Sequence, residues 1–146
     1  MRTSAAGDAP DLDLTAPLLT DMDVLRRVDR LVDQHSRRNH TLWLLFVSSD
    51  RVLLPVVVPI DGVPERPDPQ FVGNMCFVIA DVLAHQVPGG TAVVVLTRPG
   101  SETVDDTDRY WFRTIHGAAR EHGASLRMLC LATQTSVRQL TVDDAG

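Results

Sequence analysis

The stretch Thr91–Arg120, TAVVVLTRPGSETVDDTDRYWFRTIHGAAR, decides the fold. Thr91 to Thr97 is an unbroken β-branched and apolar run, the pattern of a strand covered on both faces. Pro99-Gly100 ends that run with turn chemistry. A helix is predicted over Asp105 to Glu121. Asp105 can cap it, Asp108 stands where a capping box is completed, and Trp111, Ile115, Ala118 and Ala119 share its inner face. Gly123 stops it, and Ser125 to Ala132 (SLRMLCLA) returns as another strand. In open α/β sheets, ligands gather in the loops at the carboxyl ends of strands, so the loop from Thr97 to Asp108 is the first place to look for chemistry.

Outward from this unit the same reading continues. Upstream, Asp68-Pro69 is an N-cap followed by proline at the first helical position. Phe71, Val72, Met75, Val78, Ile79, Val82 and Leu83 then recur at helical spacing, and Val87-Pro88-Gly89-Gly90 closes that helix. Thr41 to Val47 (TLWLLFV) reads as a buried strand and Val52 to Val58 as its hairpin return, with Ser48-Ser49-Asp50 as the turn. Pro55 cannot donate to a ladder, which predicts an edge strand or a bulge there. Pro59 to Pro69, with prolines at 59, 64, 67 and 69, is predicted as a stiff loop. The first helix starts at a Thr20–Asp23 capping box and buries Leu25, Val28, Leu31 and Val32, leaving Arg26, Arg27, Arg30 and Asp33 outside. His35 to His40 (HSRRNH) reads as a solvated basic connector. Val137 to Leu140 is a short last strand after a turn at Thr133 to Ser136.

The predicted order is therefore α-β-β-α-β-α-β-β. We expect an α/β domain over residues 20–141, with a mobile leader at 1–19 carrying a few anchoring leucines and a tail at 142–146. Two strand-helix-strand crossovers predict neighbouring parallel strands, and the hairpin strand runs the other way. The sheet is thus mixed, of about five strands, in a three-layer α/β/α arrangement.

The 146 residues suit one domain with one real core. A net charge of -5 argues against a general nucleic-acid or anionic-membrane binder, because phosphate neutralisation needs a basic face. Met1 to Pro17 lacks the apolar run of a signal peptide, and no stretch approaches a membrane span. A cytoplasmic location is the default expectation. Cys76 and Cys130 each lie in an apolar run and read as buried thiols. All 14 basic residues are arginines, which removes Schiff-base chemistry.

This succession resembles the cytidine-deaminase-like group of folds, which includes the JAB/MPN metalloprotease domains, and within them the RadC-like branch. TLWLLFVSSDRVLL at Thr41–Leu54 is similar to the opening hairpin of RadC-like domains. Leu96-Thr97-Arg98-Pro99-Gly100-Ser101 through Asp105 or Asp108 resembles the position of the JAMM motif, H-x-H-P followed by S-x-x-D. Where those enzymes place two zinc-binding histidines, this chain has Leu96 and Arg98, and neither can donate a lone pair to Zn²⁺. Asp105 falls near the motif serine and Asp108 takes the aspartate's place. Near the start of the first strand, where the general-base glutamate would lie, stands His40. Neither H-x-E or C-x-E before the second helix nor P-C-x-x-C before the third is present, so the deaminase metal site is missing as well. The resemblance implies a pseudo-enzyme without zinc or other cofactor, acting through protein partners or self-association.

Residue chemistry leaves a second class open. Asp105, Asp106 and Asp108 could bind Mg²⁺, although capping the third helix is the plainer role. Arg98 with Gly100 and Ser101 could hold an anion at that helix start, against repulsion from the adjacent carboxylates. Arg98, Ser101, Asp105, Asp108 and His40 are thus the candidate ligand site, for a small-ligand binder or a hydrolase. A third possibility, a ligand-sensing domain, would place an apolar cavity beneath the Pro59 to Pro69 loop. There is no G-x-S-x-G elbow and no phosphate loop. His116 and His122 are six apart, which places them on different sides of a helix, so they do not form a ligand pair.

Overall fold

A computed structural model describes residues 15–143. The helices are α1 (Asp21–Leu31), α2 (Pro69–His85) and α3 (Asp106–His122), and the strands are β1 (Thr41–Val47), β2 (Leu53–Ile60), β3 (Thr91–Thr97), β4 (Leu126–Ala132) and β5 (Val137–Leu140). The leader up to residue 14 and the tail beyond 143 lie outside the described residues. Within the described part of the leader, Leu18 is buried and its amide donates to Arg51 O at 2.7 Å, while Leu19 is exposed. Among the described residues, no helix is long and apolar enough to cross a membrane.

The strands form one mixed sheet in the order β2-β1-β3-β4-β5. β1 runs antiparallel to both β2 and β3, β3 and β4 are parallel, and β5 is antiparallel to β4. This corrects the expectation of two neighbouring parallel pairs. The β2-α2-β3 crossover passes over β1, which pairs along its whole length with β3 from Thr41↔Thr97 to Val47↔Thr91. A fully apolar strand is best covered at the centre of a sheet, and the hairpin return is left at the edge. Pro55 sits there, where the pairing jumps from Leu45↔Val57 to Val47↔Leu53. β2 also continues through Pro59 to Ile60, so the proline-rich loop is shorter than expected.

Strand alternation divides the interior into two cores. Leu42, Leu44, Val94, Leu96, Leu129 and Leu131 face α2 and α3, together with Val72, Ile79, Trp111 and Ile115. Leu45, Val47, Val93, Val95, Met128 and Cys130 face α1 through Val24, Val28 and Val32.

The helix starts follow the caps: Thr20 and Asp23 make a reciprocal box, Asp68 accepts from Gln70 N, and Asp105 and Asp108 make a second box. Gly123 closes α3 in the left-handed conformation, φ 70°. Three expectations fail locally. Val78 is half-exposed, and Cys76 takes the inward position on α2. Arg27 is buried and reaches Ala16 O at 3.5 Å, because the segment before α1 folds back over it.

The third correction concerns the His35 to His40 connector. Arg37, in a 3₁₀ turn at Ser36–Arg38, is almost wholly buried. Its guanidinium donates to Val32 O, Asp29 O and Thr133 O and pairs with Asp29 Oδ1 at 3.0 Å. It thus ties the carboxyl end of α1 to the end of β4, satisfying carbonyls a helix terminus leaves orphaned.

Candidate functional site

The Thr97–Asp108 loop leaves the carboxyl end of β3 and lies against the amino end of β1. Thr97, fully buried, fixes this junction. Its hydroxyl accepts from Thr41 N at 3.2 Å and lies 2.9 Å from Asn39 O. Next to it, the Arg98 guanidinium turns inward and meets Asp108, which has no exposed surface. The pair is bidentate, Nε to Oδ1 and Nη2 to Oδ2, both at 2.7 Å. Nη1 donates to Pro99 O and Nη2 to Thr103 O, each at 3.0 Å. Asp108 Oδ2 also accepts from Asp105 N at 3.0 Å, and Asp105 Oδ1 accepts from Asp108 N at 2.8 Å. Every guanidinium nitrogen of Arg98 is therefore engaged inside the loop. The Asp108 hydrogen bond raises the Arg98 pKa above the ordinary arginine value, partly offset by burial.

The structure brings the candidate residues together, with different duties. His40, Arg98, Ser101 and Asp105 line a cleft of about 390 Å³, together with Glu65 and Thr107. Asp108 sits behind its wall. Ser101 Oγ accepts from Thr103 N at 3.0 Å, and Asp105 is spent on the α3 cap, so neither is poised beside a base. His40 is half-buried and also borders a neighbouring hollow of about 510 Å³ with Asn39, Thr41, Asp61, Gly62 and Val63. Glu65 and Asp61 escaped the sequence reading, since both sit in a loop with no motif around them. Trp111 Nε1 donates to Glu65 O at 2.8 Å, which pins that loop over α3. Its aromatic position in an apolar stripe gave no hint of that bond.

The fit of a zinc ion can be judged on these groups. Leu96 is buried in the apolar core facing α2 and α3. The only carboxylate that the resemblance assigns to metal, Asp108, is neutralised by a permanent cation. A divalent ion there would have to displace a guanidinium and accept its repulsion, so the residues do not fit the group. Three of the remaining histidines are dispersed: His85 meets Asp81 at 3.2 Å, His116 stacks on Phe112, and His122 packs edge-on to Phe77. Among the described residues, no three His, Cys, Asp or Glu side chains converge to hold a metal ion. Cys76 and Cys130 are both free and buried, and burial pushes their thiols up to about 11 and about 12 respectively, away from thiolate chemistry at neutral pH. No family model, no curated protein and no solved structure matches this chain.

Proposed function

We propose that this chain is a JAB/MPN-like domain of the three-layer α/β/α kind, related to the RadC-like branch, that performs no metal chemistry and works through protein contacts. The observation that carries this reading is the Arg98–Asp108 ion pair. It stands at the positions that the resemblance gives to a zinc-binding histidine and aspartate, and it satisfies itself within the protein. The element order and the mixed sheet with helices on both faces support the fold part of the reading. Exposed Phe77 and Val78 on α2 support a role in contacts, since large apolar side chains in water are more often docking points than ornaments.

The test is metal content of the full-length protein expressed in zinc-supplemented medium. Zinc far below one ion per chain is the expected result, and a retained stoichiometric ion overturns the reading.

A second reading, a small-ligand site, is favoured by one observation: His40, Arg98, Ser101 and Asp105 do share a cleft. A fragment titration followed on the imidazole resonances separates the two. Saturable shifts at His40 would move the function to that cleft.

A further inference from the structure

At the other end of the sheet, where β1 ends and β3 begins, a cleft of about 380 Å³ opens between the start of α1 and the β1–β2 turn. Arg51 and Arg127 line it, with the hydroxyls of Ser48 and Ser49 and the apolar side chains of Leu18 and Leu19. Both arginines are delivered by breaks in regular backbone. Arg51 is the one non-glycine residue with a positive φ among the described residues, at 68°. The left-handed conformation suits glycine or asparagine and costs an arginine steric energy. Arg51 recovers none of it by packing, because it is exposed and its guanidinium has no partner among the described residues.

The turn around it is firmly built. Arg51 N donates to Ser48 O, Ser48 N to Val52 O, and Val52 N to Ser48 Oγ. Arg127 stands at a bulge in β4, where the step from Ala92 to Val93 spans Leu126 to Met128. A bulge re-aims the extra side chain, here to Asp21 at 2.8 Å beside the cleft. Gly89 lets the α2–β3 loop close the far side: a Cβ there would come within 3.2 Å of Ser49 Cβ.

We propose that Arg51 and Arg127 form a binding site for the phosphate group of a small organic phosphate monoester, whose apolar body lies on the exposed Leu19. Guanidinium forks and hydroxyls match phosphate oxygens. Arg127 already holds the Asp21 carboxylate, so an incoming anion must compete with it, and a phosphate dianion does so with more charge and one more oxygen than a carboxylate. The site uses none of the groups of the Arg98 loop and is independent of the pseudo-enzyme reading.

The test is calorimetric titration of the full-length protein at low salt with phenyl phosphate, inorganic phosphate and benzoate. Phenyl phosphate is expected to bind saturably and most tightly, inorganic phosphate more weakly, benzoate weakest. Arg51→Gly removes the guanidinium while suiting the left-handed turn, so its melting temperature should equal or exceed that of the parent. Its affinity for phenyl phosphate should drop by about tenfold or more, as expected on losing a charge-assisted contact. Arg127→Gln should weaken binding similarly. Absence of saturable binding, equal binding by Arg51→Gly, or benzoate binding as tightly as phenyl phosphate each overturns the assignment.

Discussion

Arg98 and Asp108 show how a neighbouring side chain decides what a buried carboxylate can do. Beside a neutral imidazole, a buried aspartate remains available to a metal. Beside a guanidinium that donates along both edges of its fork, it becomes half of a closed pair. Such a pair stabilises little against apolar replacements of equal shape, but breaking it strands a buried charge. Asp108→Ala should therefore lose roughly 3–5 kcal/mol of stability in a denaturant titration, with Arg98 left unpaired. The double variant Arg98→Met/Asp108→Leu should recover most of that loss. A double variant as unstable as Asp108→Ala would show that the Asp108 bond to Asp105 N, or the Arg98 bonds to Thr103 O and Pro99 O, and not the charge pair, hold the loop. The folded-state pKa of Arg98 lies above its ordinary value, so its contribution is complete throughout the range below that value. It fades only in strong alkali, and the effect of Arg98 should not vary around neutral pH.

At the scale of elements, β2 carries the risk in this fold. It is an eight-residue edge strand with Val56 and Val58 exposed, the kind of edge that recruits further strands. Pro55 and Pro59 each remove an amide donor, and Pro55 lies at a break in register that bends the strand. The two prolines are thus guards against edge-to-edge pairing. Replacing both, as Pro55→Thr/Pro59→Thr, should give concentration-dependent association in light scattering, where the parent protein shows less. An equally dispersed variant would mean that the bulge, and not the missing donors, protects the edge. β5, the opposite edge, is only four residues long and needs less protection.

The molecule as a whole is two cores separated by one sheet, with one thiol in each. Cys76 faces α3, its sulfur 3.9 Å from Ile115 O, and Cys130 lies in the core under α1. No disulfide can join them without dismantling the sheet between. Each is a reporter of its own core, and cooperative opening predicts that a thiol reagent finds both together. Below the ordinary thiol value of 9.0 both groups are neutral folded or unfolded. Above it the unfolded chain loses protons that the folded chain keeps until about 11 and about 12, so stability falls as pH rises through that window. The slope is up to ~1.4 kcal/mol per pH unit for each thiol. Cys76→Ser and Cys130→Ala, compared with the parent in denaturant titrations at pH 8 and pH 10, should each flatten the alkaline loss. An unchanged slope would place its origin elsewhere. One thiol reacting well before the other would show that the cores open separately.

Local sequence carried most of the secondary structure, because each cue involves neighbours along the chain. Thr20–Asp23, Asp68-Pro69, Asp105–Asp108 and Gly123 announce their helix ends by caps satisfied within three residues. The unbroken apolar runs of β1 and β3 announce strands covered on both faces. The sequence sets His40 beside Ser101 and Asp105 only through the resemblance, because the pairing of β1 with β3 that brings them to one end of the sheet is not written in either segment. What only the tertiary structure decided depends on atoms distant in sequence. Charge alone makes Arg37 a solvent residue, yet Val32 O, Asp29 O and Thr133 O draw it inside. The place of β1 between β2 and β3 follows from which strand buries most area, a competition no single segment encodes. Whether Arg98 was free to bind or bound already rested on the direction of one side chain. That direction is set by the satisfied hydrogen bonds of a folded loop and not by the identity of the residue.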